Sequence, residues 1–329
     1  MKKFSEYTAQ DYFSEIRNGN RVVLSKAITL VESTNPKHHK LAQEIIRLCL
    51  PYTGNSLRLG ISGVPGAGKS TFIESFGLHI VNQGKKLGVL AIDPSSTKTK
   101  GSILGDKTRM EKLSVHPYAY IRPSASGGNL GGVSRTTRET MLLLEAAGFE
   151  VVIIETVGVG QSETEVHSMV DCFILLLLTG AGDELQGVKR GIMEMSDIFL
   201  INKADGNNLE EAKKKKAELK KAIHFLPPHA SGWQPVVEIC SALTGFNIDK
   251  VWEIVLNYIH HSKSSGYFES NRNRQLLNWM HNAIKTALYQ KFYTHPEVKK
   301  HLEVYAEKVI NRTISPYAAA EDLMRFFRL

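Results

Sequence analysis

One octapeptide constrains this chain more than any other feature: Gly63-Val-Pro-Gly-Ala-Gly-Lys69-Ser70, a Gly-x4-Gly-Lys-Ser loop. It follows an apolar run from Leu57 to Ile61 and precedes a helix-like stretch, Thr71 to Ile80. A strand, a glycine-rich turn and a helix in that order form a cradle for phosphate. The glycines let the backbone curl until successive N–H groups converge on phosphate oxygens, and the helix adds its positive end. In this reading Gly63, Val64, Pro65, Gly66, Ala67, Gly68, Lys69, Ser70 and Thr71 line the phosphates. Lys69 reaches the β- and γ-phosphates, and the Ser70 hydroxyl goes to Mg²⁺.

A second short string specifies the base. Asp197 to Ile201 reads as a buried strand, and Asn202-Lys203-Ala204-Asp205 stands at its end. An ionised aspartate only accepts hydrogen bonds, so Asp205 can take N1–H and the exocyclic amine of guanine together. Adenine presents an acceptor where guanine presents N1–H and is repelled. Lys203 can lay its methylene stem along the base. Ser241-Ala242-Leu243, after the strand-like 235–240, fits either a backbone donor to guanine O6 or the first turn of a helix. The chain is therefore expected to bind GTP and to hydrolyse it.

Two further strand patterns end in acids. Leu87 to Ile92 leads into Asp93, and Phe149 to Ile154 leads into Glu155-Thr-Val-Gly158. Acids at the carboxyl ends of parallel strands face the nucleotide crevice, and Mg²⁺ takes one or two carboxylates with waters and phosphate oxygens. Asp93, Asp106 and Glu155 join Ser70 as candidate metal residues. Gly158 is a candidate N–H donor to the γ-phosphate, in a segment expected to move when that phosphate leaves. Many GTPases place a glutamine directly after this glycine, but here the residue is Val159, and Gln161 lies further on. Intrinsic hydrolysis is expected to be slow and to rise with a partner or a rearrangement. Lys189 and Arg190 are candidate charge donors, with a solvated basic turn as the alternative.

These strings resemble the MeaB/ArgK family of P-loop GTPases. The resemblance is carried by 27–33, 60–71, Ile92-Asp-Pro-Ser-Ser96, 101–110, Glu155-Thr-Val-Gly-Val-Gly-Gln-Ser-Glu163, 180–187 and 202–205. It implies a homodimeric, Mg²⁺-dependent GTPase that serves adenosylcobalamin-dependent methylmalonyl-CoA mutase or a related acyl-CoA mutase, loading cofactor and protecting the enzyme. It also implies that Lys69, Ser70, Asp93, Asp106, Glu155 and the 202–205 box hold Mg²⁺ and GTP. The segment matching 180–189 is implied to be a third switch that answers to the mutase. Other readings are a nickel-inserting or other metal-inserting GTPase, a kinase or ATPase tied to transport of basic amino acids, and a non-catalytic nucleotide-holding scaffold.

The rest of the chain organises around this core. The expected fold class is α/β: a P-loop NTPase with a mainly parallel central sheet flanked by helices, plus helical extensions at both ends. Residues 1–54 read as an N-terminal helical extension, 55–262 as the GTPase domain, and 263–329 as a C-terminal helical arm. The stripe Leu276, Leu277, Met280, Ala283, Ile284, Ala287 and Leu288 keeps helical spacing. Such a stripe must be covered, either by the chain's own core or by a second subunit, and the family resemblance favours the second subunit. The glycine-rich 124–132 is either a connection or a loop that approaches the nucleotide or the opposite subunit.

Composition excludes little but does set a frame. Of 329 residues 42% are hydrophobic, enough for a globular core. The net charge of +8 raises nucleic-acid binding. Much of it sits in 210–221, where mixed signs at helical spacing and no interleaved aromatics point to a solvated helix face instead. The three cysteines, Cys49, Cys172 and Cys240, are far apart and read as buried thiols of a reducing compartment. His38-His39 and His260-His261 are adjacent pairs, which do not chelate on a helix. The longest apolar run is too short to span a bilayer, and no leader pattern is visible, so a cytoplasmic protein is expected.

Overall fold

The computed structural model describes residues 4–33, 35–93, 110–125, 130–156, 162–179 and 190–327. Among these, seven strands form one sheet: β1 (Leu57–Gly63), β2 (Leu87–Asp93), β3 (Ala119–Ala125), β4 (Val151–Thr156), β5 (Cys172–Leu177), β6 (Ile198–Ile201) and β7 (Val236–Ile239). Their order is β3-β2-β4-β1-β5-β6-β7, and every neighbouring pair is parallel. Strands β4 and β5 are buried along their whole length, as their unbroken apolar sequences require in a sheet covered on both faces.

From β1 the chain crosses toward β2, whereas from β4 it crosses back over β1 toward β5. This reversal opens a crevice at the carboxyl ends of β1 and β4. Gly63 and Glu155 stand at those ends, in a register that pairs Ile61 with Glu155 and Gly63 with Leu176.

The period-2 alternation of the strands sorts two apolar layers. Leu59, Ile61, Val151, Ile153, Ile174 and Leu176 meet α4 (Lys69–Asn82), α5 (Glu111–Ser114) and α10 (Ile248–Ser264) on one face. There Phe72 stacks on Phe76 at 5.2 Å, and Phe76 meets the edge of Trp252 at 5.9 Å. On the other face Leu175, Leu177, Phe199, Ile201, Val237 and Ile239 meet Ala212 and Leu219 of α9 (Leu209–Ile223). That face also carries α6 (Leu130–Ala146) and α7 (Ser162–His167), while α8 (Arg190–Met195) leads into β6.

The first three helices are α1 (Ala9–Arg17), α2 (Arg21–Glu32) and α3 (Pro36–Cys49). Local chemistry starts each of them. Thr8 and Asp11 form a reciprocal capping box, Asn20 accepts from the amides of Val22 and Val23, and Asn35 caps a helix whose first residue is Pro36. They dock on the sheet unit: Arg17 donates to the Ala146 carbonyl at 2.7 Å, Gln43 to Glu139 at 2.7 Å, and Arg122 pairs with Glu32.

The chain divides into two compact units, 1–275 and 276–329. The first unit extends past α10 because the opening turns of α11 (Tyr267–Thr294) bury Phe268, Arg272 and Gln275. Arg272 makes a bidentate pair with Asp171, 2.7 Å on each side, and also donates to the carbonyls of Gly54 and Ser56. In the second unit α12 (Pro296–Ile310) packs on α13 (Pro316–Phe326), with Phe292 against Phe327 at 5.4 Å and His301 against Phe326 at 4.3 Å. The apolar stripe of α11 is open: Leu276, Leu277, Met280, Ile284 and Leu288 are each about half exposed. Among the described residues no helix is long and apolar enough to cross a membrane.

All three cysteines are buried free thiols. Burial pushes Cys49 up to about 11 and Cys240 up to about 12, so both stay protonated and unreactive near neutral pH. The lysine-rich α9 is mostly a solvated face, with Lys213 on Glu210 at 2.7 Å. Lys216 departs from that pattern. It reaches across to the buried Glu238 of β7, which Lys250 also meets at 2.7 Å.

Candidate functional site

The loop between β1 and α4 is shaped by what a side chain would strike. A Cβ on Gly63 would lie 2.5 Å from the Leu176 carbonyl oxygen of β5, so only glycine lets the two strands converge there. Gly68, the residue before α4, sits at φ +81°, and a Cβ on it would lie 2.9 Å from the Asn202 amide nitrogen. Between them Pro65 and Gly66 are exposed, Ala67 is buried, and the amide of Ala67 closes a turn onto the Val64 carbonyl at 3.1 Å.

Lys69 opens α4, and its ammonium donates to the carbonyls of Gly63 at 2.8 Å and Val64 at 3.4 Å. Burial lowers its pKa, and the charges of Glu155 and Glu163 oppose that shift without cancelling it. Ser70 donates to Glu155 Oε1 at 3.3 Å, and Glu155 is 7% exposed. Thr71 is exposed on the first turn. A hydroxyl beside a carboxylate at the mouth of a phosphate loop is an all-oxygen donor set, which suits a hard divalent cation such as Mg²⁺.

The second loop is joined to the first by Asn202, which is 1% exposed. Its Nδ2 donates to the Ala67 carbonyl at 2.8 Å, and its Oδ1 accepts the amide of Ala242 at 3.1 Å. Lys203 adopts a left-handed φ of 61°, an uncommon conformation for a residue with a side chain. This turn leaves Lys203 exposed while Ala204 tucks in, its amide bonded to the Cys240 carbonyl at 3.0 Å. The hydroxyl of Ser241 donates to Asp205 Oδ2, which orients the carboxylate, and Ser241 also accepts the amide of Thr244 at 3.2 Å. Ala242 is buried and Leu243 is 81% exposed beside it. The 241–243 segment is thus a loop ahead of α10, not the helix's first turn; α10 begins at Ile248.

The two loops, read separately in the sequence, are one bonded assembly at the crevice. Asp93 closes β2, opposite Ala125 in register, and nothing further is described of its side chain. Asp106, Gly158 and Lys189, with Val159 and Gln161, lie outside the described residues, and so does the middle of the glycine-rich stretch, 126–129. The ends of that stretch belong to β3 and α6. Arg190 begins α8. Glu163 is a site acid that sequence reading did not single out. It is 2% exposed on α7 and acts on Lys69. The signal available was its place at the end of the Glu155–Glu163 string.

A parallel sheet with a Gly-x4-Gly-Lys-Ser loop at its switch point and an Asn-Lys-x-Asp turn bonded to it is the arrangement of a P-loop GTPase. The chain belongs to the family described as "Methylmalonyl Co-A mutase-associated GTPase MeaB", whose model matches residues 24–297. It is 45% identical over 322 residues to a probable GTPase of Mycobacterium tuberculosis, covering 98% of this chain and 96% of that one. It is 43% identical to GTPase ArgK of Escherichia coli, covering 98% of each. The "Methylmalonic aciduria type A homolog, mitochondrial" of Mus musculus is 43% identical, covering 96% of this chain and 79% of the relative. Among solved structures, one described as an LAO/AO transport system kinase superposes with a TM-score of 0.80 at 37% identity and covers 99% of both chains. The protein is accordingly a GTPase, and the expected fold class holds.

Proposed function

We propose that this GTPase is a Mg²⁺-dependent chaperone of an adenosylcobalamin-dependent acyl-CoA mutase, with methylmalonyl-CoA mutase the first partner to test. Its task is to couple GTP turnover to cofactor loading and to protection of the mutase. The observation that carries this reading is the family match over residues 24–297, which takes in most of α2, all of α3 and the nucleotide site together.

In this reading the loop 63–71 binds the phosphates through its amides. The Lys69 ammonium leaves the carbonyls of Gly63 and Val64 and moves onto the β- and γ-phosphate oxygens. Ser70 and Glu155, with Asp93 and Asp106, would hold Mg²⁺, and the ion would supply charge neutralisation at the phosphates. Asp205, oriented by Ser241, takes the guanine edge, Lys203 covers the ring, and an amide of 241–243 meets O6. Gly158 senses the γ-phosphate, and Lys189 supplies charge when the partner docks. The exposed stripe on α11 serves a second copy of the chain, which makes the working form a homodimer. The place of action is the cytoplasm.

The test is turnover of GTP by the purified protein, alone and with a cobalamin-dependent mutase, together with co-purification of the two. Stimulated hydrolysis and a nucleotide-dependent complex are expected. Asp205→Asn should erode the preference for GTP over ATP. An unstimulated rate and no complex with the acyl-CoA mutases tried would remove the chaperone role while leaving the GTPase. The likeness to the 37% identical LAO/AO transport system kinase favours a second reading, a kinase of a transport system. Transfer of the γ-phosphoryl group to a protein acceptor, rather than to water, would establish that reading.

A further inference from the structure

Two acids, one from each face of the sheet, act on the charge of the phosphate-loop lysine. Glu155 comes from the α4 face, where its Oε1 accepts the Ser70 hydroxyl. Glu163 comes from the α7 face. Gly60 fixes its level: a Cβ there would lie 3.0 Å from both Val166 and Val170 and 2.7 Å from Phe173, so this segment lies directly on β1. Residue 163 is one turn before Val166 on the same side of the helix. The connection from β4 to β5 runs antiparallel to the strands, so that turn lies from Gly60 toward the carboxyl end of β1, the end that Ser62 and Gly63 occupy. Ser62 shares this side of the sheet with Thr156, whose hydroxyl donates to it at 2.9 Å.

Glu163 is 2% exposed, and its Oε2 has no hydrogen-bond partner among the described residues. A buried carboxylate in that state destabilises a fold unless a nearby charge compensates. The charge it acts on is Lys69, whose ammonium rests on the carbonyls at the end of β1. A bound diphosphate would place further negative charge at the same point.

We propose that Glu163 is a positioning residue that limits nucleotide affinity. Its buried charge holds the Lys69 ammonium at the Gly63 and Val64 carbonyls and opposes the transfer of that ammonium to phosphate, which speeds release of GDP. The proposal rests on the guanine-nucleotide site described above. It has a sign that a purely structural role lacks. Loss of a structural prop loosens the loop and weakens binding, whereas loss of an opposing charge tightens it.

The experiment measures GDP affinity and GDP release for the full chain at physiological salt, as wild type, Glu163→Gln and Glu163→Asp, with a thermal melt of each. Glu163→Gln should bind GDP about three- to tenfold more tightly and release it more slowly in proportion, as expected for one partly screened charge. Glu163→Asp, which keeps the charge, should stay within about twofold of wild type. Glu163→Met removes the charge in an apolar form and should tighten binding as Gln does; it decides the matter if Glu163→Gln does not fold. Wild type that binds GDP, with Gln and Met variants that bind equally or less well, overturns this inference alone. Wild type that binds neither GDP nor GTP overturns the nucleotide site and this inference with it.

Discussion

The side-chain amide of Asn202 donates to the backbone carbonyl of Ala67 at 2.8 Å, across 135 positions of sequence. The same side chain accepts the Ala242 amide, so three segments are held by one buried residue. Removing it leaves a buried carbonyl and a buried amide unmatched, at about 1–3 kcal/mol each. Asn202→Ala should lower the melting temperature of the nucleotide-free protein and weaken GDP binding more than about tenfold. Calorimetry on the variant checks both. An unchanged GDP affinity would show that the two loops act independently.

Gly66 and Gly68 have nearly the same backbone, φ +83° and +81°, but different surroundings. A Cβ at Gly66 meets nothing within 4 Å, whereas at Gly68 it meets the Asn202 amide at 2.9 Å. Both alanine variants suffer the left-handed conformation, about 1–2 kcal/mol. Gly68→Ala must also displace Asn202. Denaturant melts without nucleotide should therefore rank Gly68→Ala below Gly66→Ala, and equal midpoints would refute the close approach.

Glu145 is buried and accepts from Arg58 at 2.8 and 3.1 Å, from the Ser56 hydroxyl at 2.5 Å and from the Gly54 amide at 2.8 Å. Burial alone would raise its pKa, but the hydrogen bonds and charge of Arg58, with Ser56 and Gly54, bring it below the ordinary 4.5. A depressed carboxyl contributes stability that is fully present above its unfolded value and is lost as pH falls through the folded one. Glu145→Gln should thus be less stable than wild type at pH 7, and the gap should close as pH drops below the ordinary glutamate range. A gap that stays constant with pH would exclude ionisation of Glu145 as its source.

Arg272 joins α11 to Asp171 and to the Gly54 and Ser56 carbonyls. Truncation strands a buried carboxylate, which costs about 3–5 kcal/mol. Arg272→Ala should lose that much in denaturant melts, and pairing it with Asp171→Asn should recover part of the loss. Full additivity in the double variant would mean that the pair is not coupled.

Leu277 and Ile284 are 57% and 48% exposed on one stripe of α11. If a second copy covers them, placing Glu at both should yield monomers by light scattering while GDP binding persists. A wild-type protein that is already monomeric at micromolar concentration would remove the dimer from the proposal.

Some of this was legible in one dimension because it depends on local rules. Unbroken apolar runs imply strands buried on both faces, as β4 and β5 are. Residues 1–54 read as helical, and in the fold Thr8, Asn20 and Asn35 start those helices by bonding their own first turns. The glycine spacing of 63–70 and the order of 202–205 state their chemistry because phosphate and guanine demand particular donors and acceptors at short range.

Other features had no local signature. Asn202 as a brace, Lys216 on Glu238, Arg272 on Asp171 and Glu163 on the flank of Lys69 all join residues that only the sheet order brings together. Sequence alone marked β1, β2, β4, β6 and β7 and the nucleotide chemistry, since both depend on neighbours within a few residues. Tertiary structure decided which buried charges share a neighbourhood, because Coulomb and desolvation energies depend on distance through space and on burial, and neither is a property of position along the chain.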